Sequence, residues 1–262
     1  KRMKAGEAGP VGLVIGSSGA EMTPVLAQSP GPLQLLPGYG YGMGWFHVEG
    51  LKQSLPQTNP YTEIYTRRSV WWGLCEERLI NPENKDMDKI RLEKDWQSYV
   101  DNIDNKVRKF IEGLNGRYHE HTYAFYGNDG KNYPSYAELH WKDVSGKHTP
   151  EAYRSQVSEQ GEVFYPADKF NQTIRYATLE TPDQGYVTRK YELLPPVEDG
   201  DGTVPVRAAV INSPKLKAQF GVGVDHEGAY KPDNTMDARW FTLRSIIKIA
   251  QQVKNTGLAY HE

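Results

Sequence analysis

Two short stretches toward the C-terminal end carry residue types that do chemistry together. Asp201 lies between two glycines in Gly200-Asp-Gly-Thr-Val-Pro205, and His226 follows 25 positions later, within Val224-Asp-His-Glu-Gly-Ala-Tyr230. A carboxylate that holds one imidazole nitrogen leaves the other nitrogen to take a proton from a nucleophile, which is the chemistry of acyl transfer and ester cleavage. Glycine on both sides lets the backbone turn sharply and present the Asp201 side chain at the tip of a strand. Thr203 offers a hydroxyl to nearby backbone, and Pro205 stiffens the exit. An Asp-Gly pair alone is an ordinary surface turn. The six-residue string, placed after a run of strands and followed by the histidine loop, is what singles this one out. Glu198 and Asp199 are rival acids, but only Asp201 has glycine on both sides. Asp225 and Glu227 flank His226 and suit orientation of its loop rather than catalysis.

An acid followed by a histidine is the order in which α/β-hydrolases supply the last two members of a Ser, Asp or Glu, His triad. The first member is harder to place. Gly16-Ser-Ser-Gly-Ala20 approximates a Gly-x-Ser-x-Gly elbow with alanine last, and it follows an apolar run and precedes a helical stretch. Ser18 is therefore a candidate by pattern. Against it, the elbow strand lies in mid-sheet with several strands before it, and only 15 residues precede Gly16. The expectation is a nucleophile serine upstream of this chain, with Asp201 and His226 as the catalytic residues within it. The opening Lys1-Arg-Met-Lys-Ala5 likewise reads as a start in mid-fold. It lacks the apolar stretch of a signal peptide.

Composition narrows the alternatives. At 262 residues the chain is long enough for a full core, and a net charge of −2 with both signs interspersed argues against a nucleic-acid binder. No apolar run approaches the roughly 20 residues that span a bilayer. The single cysteine, Cys75, excludes an intramolecular disulfide and suits a small buried apolar residue. Six further histidines (47, 119, 121, 140, 148 and 261) fit solvated or core roles. His119 and His121 flank a strand start, but no third ligand lies at useful spacing. No metal ligand and no cofactor are expected.

The elements that must carry Asp201 and His226 follow from periodicity. Apolar residues at Trp96, Val100, Ile103, Val107, Phe110 and Leu114 mark one face of a long helix from about Asp88, with Asp86 or Asp88 as N-cap and Gly116 just past the end. Its bland reading is a packed helix; a lipase lid helix is the sharper one. Shorter helices are expected over 20–28 and 69–79, the second carrying Trp71 and Trp72. Residues 37–46 alternate glycine with aromatics and read as a mobile loop with exposed rings, next to leucines at 33–36. Thr122 to Gly127 is a strand closed by the turn Asn128-Asp-Gly130. Residues 137–144, 172–180 and 186–194 read as strands of alternating character, the last two a hairpin through Thr181-Pro-Asp-Gln-Gly185. Short extended structure is expected at 206–210 and a strand from Phe220 into the histidine loop. A final helix from Asp237 to Val253 is expected to bury Trp240, Leu243, Ile247 and Ala250. The fold class is α/β: the C-terminal part of an α/β-hydrolase fold with an antiparallel β insertion and lid-like helical and loop segments. Its parts are 1–127 (middle of the core), 128–195 (the insertion) and 196–262 (the acid and histidine loops).

With these residues in view, the chain resembles bacterial lipases with an α/β-hydrolase core, in particular the antibacterial phospholipase effectors of type VI secretion systems. The resemblance rests on the Gly200–Pro205 turn, the Asp225-His-Glu-Gly-Ala-Tyr230 loop, Glu21-Met-Thr-Pro-Val-Leu-Ala-Gln-Ser-Pro-Gly-Pro-Leu-Gln-Leu-Leu-Pro37 and Thr122-Tyr-Ala-Phe-Tyr-Gly-Asn-Asp129. It covers roughly 10–50, 120–145 and 198–254. It implies a serine lipase or phospholipase with Asp201 as triad acid and His226 as base, acting on phospholipid in the periplasm of a target cell after secretion. Implied partners are the N-terminal part of the same enzyme carrying the serine and an immunity protein; nucleic acid is not among them. The family's His-Ser-x-Gly-Gly nucleophile motif has no match here. The acid turn also recurs in lecithin:cholesterol acyltransferase-like enzymes, so acyl transfer stays open beside hydrolysis. A non-catalytic binding module stays open too.

Overall fold

The computed structural model describes residues 13–14, 16–68, 70–86, 88–114, 116–145, 163–164, 174–181, 185–231, 236–254 and 256–257. Residues 1–12, residues 182–184 where a hairpin turn is expected, His148 and His261 lie outside these. In chain order the elements are α1 (Gly19–Gln28), α2 (Pro30–Leu33), β1 (Phe46–Val48), α3 (Lys89–Asp101), α4 (Lys109–Leu114), β2 (Thr122–Gly127), β3 (Leu139–Asp143), β4 (Val163–Phe164), β5 (Ile174–Thr181), β6 (Gly185–Leu193), α5 (Val206–Ala209), β7 (Leu216–Val222) and α6 (Asp237–Val253). The chain is thus mixed α/β with small sheets. It divides into two compact units, one of residues 1–115 and 139–194, the other of 116–138 and 195–262.

The first unit holds a five-stranded sheet in the order β1-β3-β6-β5-β4. β1 and β3 run parallel, and the remaining neighbours are antiparallel. The antiparallel strands are therefore not free-standing, because β1 continues their sheet. Trp71 stacks on Tyr191 of β6 at 4.6 Å and meets Trp141 of β3 edge-on at 5.7 Å, while the Arg175 guanidinium lies 5.4 Å over the Trp141 ring. The expected helix over 69–79 does not form; a turn holds Trp71, and only Glu77–Leu79 are helical, as a 3₁₀ turn. Gly73 explains the break. A Cβ there would lie 2.5 Å from the Arg67 carbonyl oxygen, and the next amide, Leu74, donates to Ile64 instead of continuing a helix.

The long helix begins where expected, with the Asp88 carboxylate accepting from the amides of Ile90 and Arg91 at 2.9 Å each. Trp96, Ile103 and Val107 are buried as the period predicts, but Phe110 and Leu114 are 46% and 54% exposed. The cause is a π-helical stretch over Asn102–Arg108 between α3 and α4. Its hydrogen bonds close i to i+5, so the positions beyond it slip off the expected face. Asn102 takes a buried place and donates from Nδ2 to the Ala27 carbonyl at the end of α1, at 3.0 Å.

The glycine-aromatic loop differs from expectation in being packed. Trp45 and Phe46 are buried, Tyr39 and Tyr41 sit against Tyr61 and Trp45, and Gly42 and Gly44 take the positive φ values that fold the loop on itself. Of the neighbouring leucines, Leu33 is buried and Leu35 is exposed.

The second unit is built on the parallel pair β2 and β7, in register from Tyr123 with Ala218 to Gly127 with Val222, after a one-residue shift between Thr122 and Tyr123. The stretch 206–210 forms a single helical turn, α5, rather than extended structure. Pro205 at its N-cap needs no amide partner, and the Val210 amide donates back to Val206. Helix α6 spans the expected residues but buries the opposite side. Ala238 and Ser245 are buried and Phe241 stacks on Phe220 at 5.9 Å, whereas Trp240, Leu243 and Ile247 are about half exposed or more. Small residues at 238 and 245 let the helix approach a sheet of only two strands. Trp240, Leu243 and Ile247 fall outside that narrow contact.

Candidate active site

The parallel pair delivers both sequence-predicted residues from one edge. β2 and β7 end side by side at Gly127 and Val222, and the histidine loop leaves directly from β7. The carboxyl edge of a parallel sheet is where α/β proteins place their ligands and catalytic loops. Val222, Val224 and Ala238 form a small core, with Phe125 and Ala229 against it, that anchors the base of the loop. The loop itself is a pair of tight turns: Gly228 donates to Asp225 O and Lys231 to Gly228 O, each at 3.0 Å. The Asp225 carboxylate accepts from the Glu227 amide at 2.9 Å, and Tyr230 shares a hydrogen bond with Thr242 of α6 at 3.0 Å. These contacts hold His226 at the tip.

The acid turn is pressed against the end of β2. Gly127 fits only because it has no side chain: a Cβ would come 2.4 Å from the Asp201 Cβ. Gly200 is held in the same way, since a Cβ there would meet Ser135 Oγ at 2.2 Å. Gly202 sits at φ +86°, a left-handed conformation that glycine adopts without steric penalty, and its amide donates to the Tyr133 carbonyl and to Ser135 Oγ, each at 2.9 Å. The rival acids are engaged in scaffolding. Glu198 accepts from the Ala137 amide at 3.2 Å and Asp199 from the Gly130 amide at 2.9 Å. Both glycines beside Asp201 are thus required by geometry that the sequence suggested only in outline.

Asp201 Oδ2 lies 3.0 Å from His226 Nδ1. Its other oxygen, Oδ1, accepts from the amides of Val204 at 2.7 Å and Thr203 at 2.9 Å. The Asp201 side chain is only 15% exposed, whereas His226 is 51% exposed. Burial pushes the Asp201 carboxyl up. The bonds it accepts from the Val204 amide, the His226 ring and the Thr203 amide outweigh burial and hold it below the ordinary carboxylate range. An ionised carboxylate only accepts, so Nδ1 carries the proton in this contact and Nε2 is the nitrogen left for another partner. The result is a fixed acid and an oriented base on one rim.

Ser18 is otherwise engaged. Its Oγ accepts from the Glu21 amide at 3.3 Å as the N-cap of α1, and the Glu21 carboxylate in turn accepts from the Ser17 amide at 2.6 Å. Leu13 and Val14 before it are helical, so the strand, turn and helix of a nucleophile elbow are not formed. His119 accepts at Nδ1 from the His121 amide at 3.1 Å and is part of the turn into β2. The supports missed from sequence are Gly127, Gly130 and Ser135. The Asn128-Asp-Gly130 turn was visible, but nothing in it signalled that the acid turn would dock there.

Comparison of the chain with protein-family models, with curated proteins and with solved structures returns no match.

Proposed function

We propose that the chain carries the acid and base of a serine-dependent ester hydrolase that cleaves acyl esters of membrane glycerophospholipids, within an α/β-hydrolase fold. The attacking serine is one brought to the Nε2 side of His226. The reading rests on one observation: the 3.0 Å contact between Asp201 and His226 at the carboxyl edge of a parallel strand pair, with the acid sheltered and the ring half open.

In this mechanism the serine hydroxyl attacks the ester carbonyl carbon as Nε2 of His226 takes its proton. The tetrahedral oxyanion collapses, the carbon–oxygen bond to the glycerol breaks, and the leaving alkoxide takes the proton from Nε2. Water repeats the sequence on the acyl-serine and releases the fatty acid. Asp201 keeps the ring in the productive tautomer and balances the imidazolium that forms. The choice of phospholipid as substrate, of the periplasm as the place of action and of an immunity protein as partner rests on the resemblance of the quoted segments alone.

The test is His226→Ala in the full-length protein, with fatty-acid release from phospholipid vesicles as the readout. A fall of at least about 10⁴-fold with the thermal midpoint retained is expected from loss of a triad base. Unchanged release would end the enzyme reading. Adding an acceptor alcohol and analysing the products separates hydrolysis from acyl transfer through the same pair.

A further inference from the structure

The first unit brings two of the histidines left outside the ester chemistry into register. β1 and β3 are parallel neighbours, and His47 and His140 are direct partners between Phe46 with Leu139 and Val48 with Trp141. Phe46, Val48 and Trp141 turn into the core, so by the two-residue period of a strand both histidines fall on the opposite side of the sheet. Their rings stack at 4.2 Å with an interplanar angle of 1°. Nitrogens of the two rings lie within 4.8 Å of each other.

We propose that His47 and His140 together bind a divalent late first-row transition metal ion, Cu²⁺ or Zn²⁺, and clip β1 to β3. Imidazole is the side chain these ions prefer among neutral donors, with Cu²⁺ above Zn²⁺ in the general order of affinity. Two nitrogens each about 2.1 Å from one ion stand at most ~4.2 Å apart. Imidazole lone pairs lie in the ring planes, so the parallel rings must turn out of the stack about their side-chain torsions to bring both lone pairs onto a single ion. The strand register holds the two Cβ atoms side by side before the ion arrives, so little backbone freedom is lost on binding. Water completes the coordination shell. The site is independent of the Asp201–His226 reading.

The experiment is titration of the full chain, without a histidine tag, with CuCl₂ and ZnCl₂ by calorimetry, and electron paramagnetic resonance of the Cu²⁺ form. One ion per chain is expected, with hyperfine coupling to two nitrogens. His47→Ala and His140→Asn each weaken binding at least tenfold, ~1.4 kcal/mol, and lose one nitrogen coupling. His119→Ala, in the other close histidine pair (5.4 Å between ring centroids), leaves both readouts unchanged. Circular dichroism confirms that the variants fold; should His140→Asn fail to fold, loss of His140 ring-proton signals on Cu²⁺ addition to the native chain is the second measure. Absence of binding, binding insensitive to both substitutions, or binding abolished by His119→Ala overturns the proposal.

Discussion

Gly127 and Asp201 meet so closely that the strand end and the acid turn share one steric envelope, and a Cβ at 127 would stand 2.4 Å from Asp201 Cβ and 3.0 Å from its Cα. The obstructing atoms lie at the root of the turn, so no side-chain rotation relieves the clash. Gly127→Ala is expected to move the turn and lengthen the bond to His226. Overpacking of this kind costs about 1–3 kcal/mol in urea unfolding, and ester cleavage should fall at least tenfold, measured as fatty-acid release. Full activity with native stability would mean that the acid is not held from β2.

Asp201→Asn keeps the shape of the acid but lets the amide donate, which favours the tautomer with the proton on Nε2. Ester cleavage is expected to fall about 10⁴-fold with little change in KM, as wrong-tautomer variants of the triad do. A nitrogen-15 spectrum of the His226 ring checks the cause directly: the proton should move from Nδ1 to Nε2. A ring that keeps its tautomer would remove Asp201 from the steering role.

The same carboxyl links folding to pH. Its pKa in the fold is below the ordinary value, so across the acid range the unfolded chain binds the proton more readily than the folded one, and stability rises with pH. The contribution is present above the unfolded carboxyl value of about 3.9 and is lost as pH falls through the lower folded value. Urea unfolding of the native chain and of Asp201→Asn between pH 7 and pH 3 should therefore converge toward the acid end. Divergence there would mean the carboxyl is not stabilised in the fold.

Asn102 ties the π-helical stretch to the end of α1 through a single buried bond to Ala27 O. Asn102→Ala strands that carbonyl and leaves a void, so a loss of about 1–3 kcal/mol is expected in thermal or urea unfolding. Asn102→Asp should cost more, because a carboxylate facing a carbonyl oxygen is repelled. A neutral result for both would show that the bond does not hold the helix in place.

How much of this was legible in the sequence depends on how local the cause is. The acid turn, the histidine loop, the Asp88 cap and the spans of β2 and α6 could be read because glycine, capping residues and strand runs act within a few positions. The exposure of Phe110 and Leu114 could not be read, since the π-helical stretch over Asn102–Arg108 just before them changed the phase of the helix without a proline or glycine to announce it. Helix α6 shows the same limit from another side. Its stripe of Trp240, Leu243 and Ile247 has the period of a core face, yet the side laid on the two-stranded sheet is that of Ala238, Phe241 and Ser245. Gly73, which ended the expected helix at Trp71, acts through its contact with the Arg67 carbonyl, and Ser18 reads as a nucleophile or a cap until the helical state of Leu13 and Val14 decides it.

Among the six tryptophans, Trp240 is 60% exposed, Trp72 is half-buried, and Trp45, Trp71, Trp96 and Trp141 are buried. The intrinsic fluorescence of the native chain therefore contains a long-wavelength component, from Trp240, that dissolved acrylamide or iodide extinguishes first. Whatever settles on the outer side of the last helix will turn that component blue and shield it, so the chain reports its own encounters without a dye.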